Sequence, residues 1–170
     1  ALGGEVGLML GAGHPEQVGR LMVVDALPFY TLLIDPAATA ETAAPQAAAL
    51  RDAMLAAPAA QAETMQRAAI DRLAKTTAAR PALVEAALRS DRKTVADATH
   101  ELMTTDLRPE LGRIQAPVEV VYAYDPLYGI PATRVDATFA DAYAGTRGIS
   151  FKRIDGRFHF FIVDQPQAYA

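Results

Sequence analysis

Asp25, Asp125 and His159 are the residues of this sequence whose types could do chemistry together. Each follows an apolar stretch: Asp25 closes "LMVVD", Asp125 closes "VEVVYAYD", and His159 comes shortly after "GISFKRIDG". An imidazole changes charge near neutral pH and a carboxylate can orient it, so such a set can move protons. If the apolar stretches are strands, all three residues sit at carboxyl ends, where α/β sheets place their functional groups. A nucleophile is conspicuously missing. Cysteine is absent altogether, which also excludes disulfides and thiolate metal sites.

The elements that must position these residues can be read from periodicity. Apolar and small residues over 5–12, ending at Gly13-His14-Pro15, predict a short buried helix. The run Leu21, Met22, Val23, Val24 predicts a strand covered on both faces. From 37 to 110 alanine dominates and apolar residues recur at three- and four-residue steps. This predicts about four helices punctuated by Pro58, Pro81 and Ser90-Asp91. Val118, Val120, Val121 and Tyr122 predict a second buried strand, 133–143 an amphipathic helix, and "GISFKRIDG" a third strand. A last helix is expected to start near Gln165 or Pro166.

The chain has 170 residues, enough for one domain with a real core. At 51% hydrophobic, 21% charged and a formal net charge of -4, it lacks the basic excess of a nucleic-acid binder. No apolar run approaches the roughly 20 residues of a membrane span. His14 before Pro15 is expected in solvent, and His100 beside Glu101 on the surface or packed within the helical insertion. No histidine and carboxylate have metal-ligand spacing, so neither metal nor cofactor is expected. "RSDRK" at 89–93 reads as a solvated helix junction.

The order of a glycine turn opening a helix, an acid after a later strand and a histidine after the last strand resembles a capped α/β-hydrolase. "ALGG" matches S-x-G-G, "IQAPV" the opening of the acid's strand, and "RFHF" the G-H-F of the histidine loop. The likeness covers almost the whole chain and implies an α/β fold. It would comprise the C-terminal part of a hydrolase sheet, about three parallel strands with flanking helices, plus an inserted helical cap. Its parts would be hydrolase core at 1–36, cap at 37–110 and core again at 111–170. About five further strands are expected upstream of Ala1, with one oxyanion donor among them.

The resemblance also assigns roles. Ala1 stands in the nucleophile's place, as in a serine-to-alanine variant or a natural relative without a nucleophile, and an alanine cannot attack a carbonyl. Leu2 would offer its N–H to an oxyanion. His159 would be the general base, screened from water by Phe158, Phe160 and Phe161. Asp125 is the expected acid, with Asp25 as competitor because some members use that earlier position. Substrate contacts are expected from Leu27, Phe29, Tyr30, Leu127, Tyr128 and Phe158.

The expected substrate is a small hydrophobic ester or related acyl compound. The resemblance also disfavours epoxide opening, for which such relatives use cap tyrosines, and halide displacement, for which they lean on tryptophan, since 37–108 holds no tyrosine and the chain no tryptophan. The alternative is a non-catalytic module that binds a small molecule. An open sheet edge is expected to be completed by a companion N-terminal segment or a dimer.

Overall fold

The structure, a computed structural model, describes residues 1–164. The expected last helix near Gln165 or Pro166 lies outside the described residues. One parallel sheet has the order β1-β2-β3, with β1 at Leu21–Val24, β2 at Val118–Tyr124 and β3 at Ile149–Asp155. Val118 of the central strand lies opposite Leu21 on one side and Ile149 on the other. Val118, Val120, Val121, Tyr122 and Ala123 are all buried, as the near-continuous apolar run of a strand flanked on both sides requires.

β1 departs from expectation. Val23 alone of its four residues is buried, and Met22 is 49% exposed. The helix before it, α1 at Leu2–Gly13, buries Glu5, Leu8, Gly11 and Ala12 but exposes Leu2, Val6, Met9 and Leu10. The helix expected to be buried is therefore buried along one stripe only, since among the described residues no element packs on its other side. The two opening glycines divide the work. A Cβ on Gly4 would lie 2.5 Å from the Ala26 Cβ and 3.0 Å from the Val23 Cγ1, whereas one on Gly3 would meet nothing within 4 Å. Gly4 is thus the point where α1 touches the end of β1.

Between β1 and β2 run four helices, α2 Ala40–Ala56, α3 Ala59–Leu73, α4 Arg80–Arg89 and α5 Arg92–Thr104. Their boundaries follow local chemistry. Thr39 and Thr42 cap each other reciprocally at the start of α2, Pro58 precedes α3, and the Asp91 carboxylate accepts the Thr94 N–H at 2.8 Å to start α5. Ala43 and Ala47 of α2 and Ala96 of α5 are buried, so small side chains bring these helices close.

Helix α6, Ala132–Ala142, follows β2, and its Phe139 stacks on Tyr122 with ring centroids 4.1 Å apart. The buried Tyr143 hydroxyl donates to the Ala26 carbonyl at 2.7 Å, fixing the end of α6 beside the end of β1. A short α7, Phe161–Asp164, closes the described chain. No helix among the described residues is long and apolar enough to cross a membrane.

The glycine pair gives a direct test. Gly4→Ala should destabilise by about 1–3 kcal/mol through overpacking, while Gly3→Ala should stabilise by roughly 0.5–1 kcal/mol through helix propensity. Urea unfolding of the two variants side by side checks both signs.

Candidate active site

The carboxyl ends of β1 and β3 bring two of the expected residues together. His159 Nδ1 lies 2.6 Å from Asp25 Oδ2. An ionised carboxylate only accepts, so the ring donates its Nδ1 proton and the Nε2 lone pair is free to face away. Nε2 points to Ala1, whose backbone nitrogen is 3.3 Å distant. Side-chain exposure is 22% for His159 and 14% for Asp25, little enough to strengthen the bond relative to water.

Asp25 reaches this position through an unusual backbone. Its φ is +47°, the one positive value among the described non-glycine residues. Aspartate enters this left-handed region more readily than most residues. The turn carries the carboxylate over the end of β2, where Oδ1 accepts the Ala123 N–H at 2.9 Å while Oδ2 accepts the imidazole. One oxygen is spent on the sheet and the other on the ring.

The expected pair of Asp125 with His159 is not formed. Asp125 Oδ1 accepts the Leu127 N–H at 2.9 Å, capping the turn that begins at Pro126. Its Oδ2 accepts from the Lys75 ammonium at 2.6 Å. The correction has a physical reason: Lys75, which follows α3, neutralises a carboxylate that is almost fully buried. That bond, with help from the Leu127 N–H, holds the Asp125 carboxyl below the usual carboxylate range. Sequence reasoning missed Lys75. The only advance sign was a lone cation after α3, fifty residues from the acid it serves.

The remaining expected residues divide. Leu2 opens α1, where the Ala1 carbonyl accepts the N–H groups of Gly4 and Glu5. Tyr128 and Phe158 stack at 5.6 Å beside the two aspartates, and burial with the nearby Asp25 and Asp125 charges pushes the Tyr128 hydroxyl well above its usual range. Leu127 is 75% exposed and Tyr30 half-buried. Phe29 and Leu27 are both buried in the main core, with Phe29 exposing no surface and carrying the Arg108 guanidinium over its ring. His14 is exposed and His100 half-buried on α5.

Solved structures share this fold. The enol-lactonase from Burkholderia xenovorans LB400 superimposes with a TM-score of 0.70 at 18% identity, covering 99% of this chain and 60% of that one. A hydrolase from Pseudomonas aeruginosa PA01 gives 0.71 at 19% identity over 98% and 58%, and MenH from S. aureus 0.70 at 13% over 99% and 62%. The fold is that of an α/β-hydrolase. No family model and no curated protein matches the sequence. The chain spans about 60% of the length of the hydrolase structures it matches, and its three-stranded sheet corresponds to the C-terminal part of the α/β-hydrolase fold.

One further ionisable group lies within this hydrolase fold near the site. Glu5 sits one helical turn after Ala1, is 4% exposed, and its Oε2 has no hydrogen-bond partner among the described residues. Burial pushes its carboxyl up to about 7; the Thr105 hydroxyl opposes the rise and Glu101 adds to it. Because the folded value exceeds the unfolded one of about 4.3, the neutral form is favoured by folding. That contribution is complete below the unfolded value and is lost as pH climbs through about 7. Glu5→Gln should therefore stabilise the protein at pH 8 by about 1–3 kcal/mol and change it little at pH 4. Urea unfolding at the two pH values tests this; equal effects at both would show that Glu5 does not titrate in the folded chain.

Proposed function

We propose that this protein derives from serine hydrolases of carboxylic esters or related acyl substrates, with Ala1 in the nucleophile's place, His159 as general base and Asp25 as its acid. The observation that carries this reading is the alignment of Ala1, His159 Nε2 and Asp25 across the ends of β1 and β3. The enzymes it superimposes on include an enol-lactonase, whose name implies acyl chemistry of this kind.

With serine at position 1, its hydroxyl would lose a proton to Nε2 while the oxygen attacks the substrate carbonyl. Asp25 would hold the Nδ1–H and stabilise the imidazolium, which then protonates the leaving alkoxide. The Leu2 N–H, at the positive end of α1, would donate to the oxyanion. Alanine supplies no attacking lone pair, so the chain as written is read as inactive toward esters. That same alanine favours a second reading, a non-catalytic module that holds a small molecule at the site.

The helices of 37–110 are read as a cap between core parts 1–36 and 111–170, with Tyr30, Leu127, Tyr128 and Phe158 facing an apolar acyl group. The exposed apolar side of α1, with Leu2, Val6, Met9 and Leu10, supports a covering companion: an N-terminal segment of the same protein, or a second copy that extends the sheet from β1.

In the full-length protein, Ala1→Ser should give turnover of short p-nitrophenyl esters above background. A folded Ala1→Ser protein without turnover would leave the binding module standing. In that active background Asp25→Asn should lower kcat by about 10⁴-fold, and Asp125→Asn by far less. The reverse ranking would return the acid's role to Asp125.

A further inference from the structure

Residues 156–160 have no regular structure, yet they must hold an imidazole in place. Gly156 leaves β3 with φ +74°, and the sheet grips the loop once, where the Arg157 N–H donates to the Tyr124 carbonyl at 3.1 Å. Besides the Asp25 bond to His159 and the stacking of Phe158 on Tyr128, a further set of grips comes from residues 73–76 at the end of α3. The Lys75 ammonium donates to the Gly156 carbonyl at 3.1 Å and to Asp125 at 2.6 Å, and stands 5.9 Å from the Phe158 ring centroid. The Phe160 N–H donates to the Leu73 carbonyl at 2.7 Å, and its ring packs on Ile70, Ala74 and Val84. The backbone N–H groups of Lys75 and Thr76 donate to the two oxygens of Asp164, at 3.0 and 2.8 Å.

We propose that the turn 73–76 is a latch that positions His159 for Asp25, with Lys75 and Asp164 as its positioning residues and Asp125 as its anchor. The contacts fall at 156, 158, 160 and 164, on both sides of the histidine, so the loop cannot slide or rotate without breaking several at once. Neither Lys75 nor Asp164 touches the imidazole; they act through the backbone that carries it. Asp125, the acid that spacing alone nominated, serves the histidine indirectly by holding the cation in place. A base misplaced by a fraction of an ångström loses most of its worth, which is the reason to secure this loop from a second element. The latch rests on the reading of His159 as the base only for its consequence in catalysis. Its mechanical content stands apart from that reading.

Two variants separate latch from fold. Lys75→Met combined with Asp125→Asn removes both charges together, so no buried carboxylate is left unpaired; Asp164→Ala removes the other clasp. Hydrogen exchange of the full-length protein should accelerate about tenfold in 157–164 for each, with β2 unchanged. The downfield proton resonance of the His159 Nδ1–H should broaden. In the Ala1→Ser background kcat should fall about tenfold or more with KM nearly constant. Lys75→Arg, which keeps a donor at the same place, should retain most of the protection. Unaltered exchange in 157–164 for both variants overturns the latch, and so does a uniform acceleration that includes β2, the mark of general destabilisation. Should Ala1→Ser give no turnover at all, the hydrolase reading fails, while the exchange measurement still decides the latch because it reads the loop directly.

Discussion

The site depends on one hydrogen bond, donated by His159 Nδ1 to Asp25 across 134 residues of chain. A carboxylate in bulk water would hold an imidazole weakly, since both groups exchange readily for solvent. Here the acceptor is fixed before the ring arrives. Asp25 has one oxygen bound to the Ala123 N–H, and its own N–H donates to the Val121 carbonyl at 2.7 Å. The free oxygen can therefore point in only one direction. The left-handed backbone at Asp25 costs of order 1 kcal/mol, and the sheet bonds on either side offset it.

The same local geometry ties the first helix to the acid. Ala26 follows Asp25 and lies against Gly4, too close for any side chain at position 4. Its carbonyl accepts the Tyr143 hydroxyl from the end of α6. The residue next to the acid is thus clamped between α1 and α6, and with it the distance from Ala1 to Asp25. This explains why the second glycine of "ALGG" is constrained while the first is free: only one faces β1.

Much of the fold was legible because it is written in local periodicity. The short apolar runs at 21–24 and 118–124 form strands and the three- and four-residue steps of 37–110 form helices, with Pro58, Pro81 and Asp91 marking their ends. What periodicity could not carry was the exposed side of α1 and β1, since apolar residues look alike whether or not another element covers them. The choice between two aspartates, each at the end of a strand, was also beyond it. That choice turns on a positive φ at Asp25 and on a lysine fifty residues from Asp125. Both are tertiary facts. The burial of Phe29 was illegible for a related reason: an aromatic residue shortly after a candidate acid suits a pocket wall and a core equally well, and its place in the core under Arg108 is a tertiary fact.

The helices between β1 and β2 hold both members of the pair. On the acid's side, the buried Thr31 hydroxyl donates to the Met103 carbonyl at 2.7 Å, and the Leu107 N–H donates to the Pro28 carbonyl at 2.9 Å. These bonds bind the segment after Asp25 to the end of α5 and the turn beyond it. On the base's side, the turn after α3 holds the histidine loop at Gly156, Phe160 and Asp164. The two anchorages are joined within the helical segment, where Arg92 at the start of α5 donates to the Ala57 carbonyl between α2 and α3. The separation between Asp25 and His159 is therefore fixed twice: once by the parallel sheet that places β1 and β3 on either side of β2, and again by the helices between β1 and β2. A shift of α3 relative to α5 would strain the Asp25–His159 bond even with the sheet undisturbed, so the helical segment acts on the pair mechanically.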